Sequence, residues 1–497
     1  MAHPLVLQFR PGTSLVEETG EQVTIRCPAG TLPVRELTPG LRAALRTLAA
    51  DGATEDALSD LIIEHDGTSG LPVWYYHVQC WADLCLLAYG MLAAGTPLAT
   101  LVPMTRDFTW RTLRDDPATR YQLSRFAYVR RLGDALVLES PLAPARTVLH
   151  GARGLAAVGA LTRATSVKAL AATLDGMALD TVATLLRLLV SAGAVDALGA
   201  DDALPEDAAP ALAQWEFHDL LFHARSRLGR HDDHYGGTFR FLDQLPPLPA
   251  VKPPMSAEPI PLYRPDLALV EQADPPLTRV LETRRSVRQY AARPLTLRQL
   301  GEFLYRVARV RQVIPIAPER RRHYEVTRRP YPSGGATYDL ELYVTVNTCV
   351  DLPAGLYHYD PLAHALHPLA DRSADVEALL RDARGAAKLA FTPQVVITLA
   401  SRFQRLSWKY TAMAYATTLK NVGALYQTMY LVATAMGLAP CALGGGNSDR
   451  FAAVAGTDYY AETSVGEFLL GSLPPDVEEA APAPAERGTN HGMGEAG

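Results

Sequence analysis

The 497-residue sequence predicts an α+β protein in two dissimilar halves. Three observations predict it. A pattern of two strands followed by three helices near the N-terminus recurs from residue 121. A proline-rich stretch, QLPPLPAVKPPMSAEPIPLYRP, interrupts the middle of the chain. Beyond it, apolar runs of strand length alternate with amphipathic helical patterns. At roughly 100–200 residues per domain the length allows two to four domains. A composition of 48% hydrophobic and 20% charged residues is ordinary for globular proteins.

In the first half, residues 5–27 (LVLQFRPGTSLVEETGEQVTIRC) read as two strands around a polar turn. The helix pattern LTPGLRAALRTLAADG follows, with Leu41, Ala44, Leu45 and Leu48 at helical spacing. ATEDALSDLI and VWYYHVQCWADLCLLAYGML extend the helical run. Residues 121–139 repeat the strand pair with a turn at Leu132-Gly133-Asp134. LHGARGLAAVGALT, TSVKALAATLDG and LDTVATLLRLLVSAGAV then give three helices, with Thr165 and Asp180 as N-caps and Gly193 as a helix stop. A strand pair plus three short helices resembles a winged helix-turn-helix unit, here in tandem over 1–110 and 111–210. The last helix of the second unit carries one basic residue, Arg187. A DNA-reading helix needs several Arg, Lys, Asn or Gln on its exposed face. The expectation is therefore a peptide-docking or scaffolding module.

Residues 211–262 form a bridging segment whose proline-rich part must be extended, because proline fixes φ and donates no N–H. Within it, His231-Asp232-Asp233-His234 suggests a metal, but adjacent loop residues rarely converge on one ion, so a solvated loop is expected and no metal. Residues 263–473 read as one α+β domain. TLRQLGEFLYRVARV is an amphipathic helix; LELYVTVNT, GLYHYDP, PQVVITLAS and SVGEFLLGS are strands; YTAMAYATTLKNVGALYQTMYLVATAMGL is a long apolar helix. Residues 474–497 are acidic and rich in Pro, Ala and Gly, the composition of a disordered tail. Five scattered cysteines argue against a disulfide framework, and Cys80 and Cys85 read as core packing. A net charge of −6 does not suit a protein that coats nucleic acid. No apolar run spans a bilayer and no signal-peptide core opens the chain, so a cytoplasmic location without membrane contact is expected.

Four segments can carry chemistry. In Thr283–Tyr290 (TRRSVRQY), three arginines and two hydroxyls lie close together; the guanidiniums could hold phosphate bidentately with a hydroxyl as a further donor, or the octet could form a solvated basic turn. In Arg329–Ala336 (RPYPSGGA), Ser-Gly-Gly lets backbone approach a flat ligand, or is a plain turn. In Trp408-Lys409-Tyr410, the ammonium could favour the phenolate and make the tyrosine a general base. Equally, the lysine could snorkel over core aromatics. In Gly437–Asn447, a glycine triplet presents backbone N–H groups, without the spacing of a P-loop or Rossmann turn. Cys441 there reads as a small buried thiol more readily than as a nucleophile.

In this order, RRSVRQY, YPSGGATYDLELY, GLYHYDP, WKY and a GGG turn before GEFLLG resemble the SagB-type dehydrogenases. These belong to the nitroreductase-like flavoprotein superfamily and include the azoline dehydrogenases of ribosomal peptide natural products. The likeness covers about residues 263–473. The tandem front half is similar to long family members, in which it is assigned to precursor-peptide binding. Phe222–Arg230 (FHARSRLGR) is similar to the family's bridge between the halves.

The resemblance implies a nitroreductase-like FMN domain with a mixed sheet flanked by helices. It implies that Arg284, Ser286 and Arg288 hold the FMN phosphate and ribityl chain, and that Ser333 and Gly334 flank the isoalloxazine ring. Gly444 and Gly445 would approach the N5 edge, and Gln427 would line the cofactor site. Lys409 and Tyr410 match the family's proton-removing pair. It further implies a homodimer, an azoline-containing precursor peptide as substrate, and a cyclodehydratase complex as partner. The chain departs from relatives in two places. EFLLGSLPPD lacks the basic residues that grip phosphate in smaller reductases, and Ala424 stands where many relatives have histidine.

The reaction so implied oxidises thiazoline or oxazoline to thiazole or oxazole, with a proton going to Tyr410, assisted by Lys409, and a hydride to the flavin. Two other readings stay open: an NAD(P)H-dependent reductase or desaturase of another small molecule, and a peptide-binding scaffold with a degenerate flavin domain. The Lys-Tyr pair counts against the first and the complete set of flavin-site segments against the second.

Overall fold

A computed structural model describes residues 5–17, 22–27, 30–174 and 177–475; the turn at 18–21 and the expected tail beyond 475 lie outside the described residues. The chain divides into two compact units, Met1–Asp233 and His234–Gly497.

The first unit is a repeat of a longer motif than a strand pair. In the first copy, β1 (Val6–Phe9) is followed by the meander β2 (Ser14–Glu17), β3 (Val23–Cys27) and β4 (Gly30–Val34). Then come α1 (Pro39–Ala49), β5 (Ala53–Thr54), α2 (Glu55–Asp66), α3 (Leu71–Asp83) and β6 (Leu87–Ala93). After β7 (Thr96–Pro103) the second copy runs from β8 (Arg120–Leu123) through the meander β9 (Tyr128–Leu132), β10 (Ala135–Glu139) and β11 (Ala145–Leu149). It continues through α4 (Gly151–Ala160), β12 (Thr165–Ser166), α5 (Val167–Thr173) and α6 (Leu179–Ser191) to β13 (Val195–Ala197). In each copy the first strand pairs with the dipeptide before the second helix and with the strand after the third: β1 with β5 and β6, β8 with β12 and β13. β7 bonds to β6 and to β11 and so joins β5, β1 and β6 to the second meander in one seven-stranded sheet, while β2-β3-β4 and β12-β8-β13 form three-stranded sheets of their own.

Several local expectations are corrected. The run from Leu87 (LAYGML) is strand, because Cys85 turns at φ +56 after the helix that precedes it. Ser166 caps α5 in place of Thr165, accepting from Ala169 N. Asp180 lies inside the first turn of α6, after the N-cap Ala178. Gly193 ends α6 at φ +65, as expected. α6 is a core helix with nine buried residues, and Arg187 stacks 4.9 Å from the Trp110 ring. His231-Asp232-Asp233 is not a solvated loop. His231 is buried on the Arg227 carbonyl, and Asp232 bonds to Arg10 and Arg146.

The second unit is one seven-stranded sheet with helices on both faces. Its order is Ile260–Pro261, Ala365–Asp371, Gly355–Asp360, Leu340–Val346, Val395–Arg402, Glu462–Ser472 and Leu438–Ala442. The α+β class and flanking helices stand, but the sheet is not mixed: every pairing between these strands is antiparallel. Leu340–Val346 and Val395–Arg402 are buried along their whole length, so both faces are covered. Leu340, Leu342 and Val344 pack with Phe303, Leu304 and the long helix Ala414–Ala435. Tyr343 and Ala400 face Val376 and Phe451 on the other side. Helix Leu297–Ala308 opens with a Thr296/Gln299 capping box.

The proline-rich stretch is extended and strapped to this unit. Trp408 Nε1 donates to Leu245 O (2.7 Å), Arg405 to Leu248 O (2.5 Å), Arg329 to Ala250 O (3.2 Å) and Lys252 to Glu462 (2.7 Å). No helix among the described residues is long and apolar enough to cross a membrane.

Candidate active site

Lys409 and Tyr410 follow the short helix Gln404–Ser407. That helix is anchored by Arg405, whose buried guanidinium donates to the carbonyls of Thr337 (2.7 Å) and Glu325 (2.9 Å). Burial lowers its pKa to about 10. Tyr410 and Thr411 pair antiparallel with Gly237 and Gly236, and Phe239 N donates to Lys409 O (3.1 Å). The backbone of Gly236–Phe239 therefore holds the dipeptide. Lys409 Nζ donates to Tyr324 Oη at 2.6 Å, and Tyr324 Oη donates to Gly335 O at 2.7 Å. The ammonium lies 4.8, 5.0 and 5.8 Å from the ring centroids of Tyr410, Tyr324 and Phe239. Burial works against this charge. Hydrogen bonds and charge interactions with Tyr324 and Tyr410 outweigh it and raise the Lys409 pKa above the ordinary lysine value.

The Ser-Gly-Gly turn meets this pair. Gly335 has φ +61, and a Cβ there would collide with Tyr410 Oη and Lys409 Nζ. Gly334 is equally closed, against Thr417 Cγ2, and its N–H donates to Asn421 Oδ1 at 2.9 Å. Asn421 Nδ2 in turn donates to Asp339 (2.6 Å), which also accepts from Ser401 and Thr418. Asp339 has these neutral donors around it, and burial raises its pKa above the usual carboxylate range. Ser333 Oγ accepts from Tyr338 N (3.0 Å), closing the turn on itself.

Arg284, Ser286 and Arg288 lie in extended chain after helix Leu277–Thr283, beside strand Leu438–Ala442 through Val287 N to Pro440 O (2.8 Å). Ser286 Oγ is 2.7 Å from Tyr430 Oη, which also accepts from Ala442 N (2.8 Å). Arg284 lies over the Tyr430 ring at 5.0 Å. Neither Arg284 nor Arg288 forms an ion pair among the described residues. Cys441 is fully buried and burial pushes its thiol pKa up, against the opposing effects of Arg288 and Ser286. That is a packing thiol.

Gly444 and Gly445 are exposed, and a Cβ on either would meet open space. Gly446 instead abuts the Glu467 carboxylate, whose pKa burial raises. Gln427 sits on the exposed side of the long helix with Gly423, and its side chain makes no hydrogen bond among the described residues. The long helix thus ties three of the segments together: Asn421 holds the Ser-Gly-Gly turn, and Tyr430 holds both Ser286 and Ala442. Asn421 to Tyr430 spans about 13 Å of helix.

Tyr324, Asn421, Asp339 and Tyr430 belong to the site and escaped sequence reasoning. Polar Thr417, Thr418 and Asn421 on the buried side of an apolar helix were a usable signal; Tyr324, in RRRHYEV, offered none. The donor set fits a flat anionic cofactor. Two guanidiniums without carboxylates and a hydroxyl suit a phosphate, and the open backbone at Gly444 and Gly445 suits a ring. Among the described residues no group of His, Cys, Asp or Glu could hold a metal ion.

Family models match the chain in three places: the ThcOx helix-turn-helix domain over 1–125, cyanobactin oxidase ThcOx over 121–232, and the nitroreductase family over 281–471. A putative nitroreductase of Methanocaldococcus jannaschii is 33% identical over 165 residues, 33% of this chain and 76% of that protein. The microcin B17-processing protein McbC of Escherichia coli is 35% identical over 117 residues, 22% of this chain and 42% of that protein. Among solved structures, the E. coli microcin synthetase McbBCD complex with truncated pro-MccB17 bound matches at 20% identity and TM-score 0.33, over 51% of this chain and 86% of the matched one.

Proposed function

We infer the function of this chain from its membership and its site: it belongs to the nitroreductase family of oxidoreductases, and its ThcOx-type front half sets it among the SagB-type dehydrogenases. We propose that it is an FMN-dependent azoline dehydrogenase, oxidising thiazoline or oxazoline rings in a ribosomally made peptide. The observation that carries this is the convergence of Lys409 and Tyr410 on the Cβ-free face of Gly335. A plain hydride relay needs no base, whereas forming the aromatic ring requires a proton to leave carbon.

Tyr410 Oη is the acceptor of that proton, from the ring carbon next to C=N, which the C=N bond acidifies. Lys409, whose ammonium lies 4.8 Å from the Tyr410 ring, is the cation that would assist the transfer. Arg284, Ser286 and Arg288 would hold the FMN phosphate and ribityl chain; Ser333 and Gly334 would flank the ring; Gly444, Gly445 and Gln427 would complete the site. Bound FMN supplies the two-electron acceptor that aromatisation requires. The match to a microcin-processing protein supports a peptide substrate; a cyclodehydratase complex is the partner that this reading implies. A homodimer in the cytoplasm completes the proposal.

Mass spectrometry of an azoline peptide incubated with the FMN-loaded protein tests it. Loss of two hydrogens per ring is the expected result. No mass change, together with rapid NADPH-dependent reduction of a nitro or enone compound, would replace this reading with a reductase.

A further inference from the structure

We propose that Tyr324 is a positioning residue for the Lys409–Tyr410 pair, fixing the direction of the Lys409 ammonium through a directed chain that ends on the backbone of Gly335. The proposal rests on the azoline dehydrogenase reading for its consequence in turnover, but its geometry stands independently. The Tyr324 hydroxyl has one proton, and this is spent on Gly335 O at 2.7 Å. Its oxygen can therefore only accept from Lys409 Nζ, at 2.6 Å. One of the three ammonium protons is thus committed, and the charge is turned in a fixed direction across the Gly335 Cα, where Tyr410 Oη also lies.

The groups around Lys409 leave Tyr324 as the acceptor that does this. No carboxylate lies in ion-pair reach of Lys409 among the described residues. Glu325, next in sequence, turns its carboxylate to Ala250 N (2.9 Å). Arg405 sits over the Tyr324 ring at 5.8 Å and adds positive charge. From the strap, Phe239 offers only its ring face, with His323 packed edge-on against it at 5.4 Å. The remaining neighbour is Tyr410 itself. Without the Tyr324 oxygen, the ammonium keeps only Tyr410 and π faces, and is free to swing. The contacts that raise the Lys409 pKa include the Tyr324 bond first among those favouring the charge. A side chain held by such a supporting contact is what proton transfer geometry requires.

Tyr324→Phe keeps the ring packing against Trp408 and Phe239 and removes one oxygen. The first readout is competitive acetylation of Lys409 by acetic anhydride at pH 9 in the FMN-loaded protein, followed by peptide mass spectrometry. In the wild type Lys409 should label several-fold more slowly than exposed Lys420, and in Tyr324→Phe several-fold faster than in the wild type. The second readout is turnover of an azoline peptide. Tyr324→Phe should lower kcat roughly 10- to 100-fold with KM little changed, and Tyr324→Phe/Lys409→Ala should be no slower than Lys409→Ala alone. Equal labelling of Lys409 in the variant and the wild type, or wild-type labelling as fast as Lys420, overturns the proposal whatever the turnover. Additive losses in the double variant also overturn it. A wild type that turns over no azoline sinks the functional reading alone and leaves the labelling result to decide this one.

Discussion

Gly335→Ala places one methyl group at the point where the site converges. Gly335 has φ +61, a left-handed conformation that costs an L side chain about 1–2 kcal/mol. The new Cβ would also land on Tyr410 Oη and Lys409 Nζ, with Tyr324 Oη at 3.3 Å. Something must shift, and the Tyr324 bond to the Gly335 carbonyl is the contact most directly loaded; losing it adds about 1 kcal/mol. The total, about 2–3 kcal/mol, corresponds to a Tm fall of about 4–12 °C for a unit of this size. Displacing the Lys-Tyr pair by about 1 Å lowers kcat by up to about 100-fold. Differential scanning calorimetry and azoline turnover on the FMN-loaded variant measure both. Gly385→Ala is the control, because it lies in helix Ala374–Ala387 with nothing within 4 Å of the added Cβ. A Gly335→Ala protein with wild-type Tm and kcat would refute the reasoning.

Three further outcomes follow from the same geometry. Gly445→Ala meets only open space in the protein, so its Tm should stay unchanged while FMN affinity, read by fluorescence titration, falls about tenfold; unchanged affinity would remove Gly445 from the cofactor site. Asn421→Ala leaves Gly334 N–H and one Asp339 oxygen without their partner, and urea unfolding should show a loss of about 1–3 kcal/mol. Glu341 is buried, which disfavours its charge, but His358 and Arg402 outweigh that and bring its pKa down to about 2 from an ordinary 4.5. A folded-state pKa below the unfolded one stabilises the protein above pH 4.5 and is lost as pH falls towards 2, about 3 kcal/mol in all. Glu341→Gln should flatten the stability profile in that window, and an unaltered slope would contradict the assignment.

The elements that the sequence made legible are those whose signals are local. The Gly133-Asp134 hairpin and the long apolar helix lie where periodicity and turn chemistry put them. Leu87–Ala93 was misread because a short apolar run has no period that separates strand from helix, and the turn at Cys85 leaves no mark in composition. The fusion of the two repeats through β7 is a tertiary pairing with no sequence signature. The same holds for the loop at His231–Asp233. Its charges look solvent-facing until Arg10 and Arg146, remote in sequence, arrive beside Asp232. In the site, Lys409-Tyr410 and Ser-Gly-Gly stand out as motifs, but what joins them does not. Tyr324 comes from a stretch without a motif and is visible only through its bonds to Lys409 and Gly335.

The central claim is that Tyr410, with Lys409, accepts a proton from an azoline ring. Its most direct test is anaerobic mixing of FMN-loaded protein with an azoline peptide, following the visible flavin absorbance. The account predicts bleaching in the wild type without NADPH, and little or none in Tyr410→Phe and Lys409→Ala, both of which keep bound FMN. Bleaching at the wild-type rate in both variants, or a wild type that NADPH bleaches and the azoline peptide does not, would contradict it.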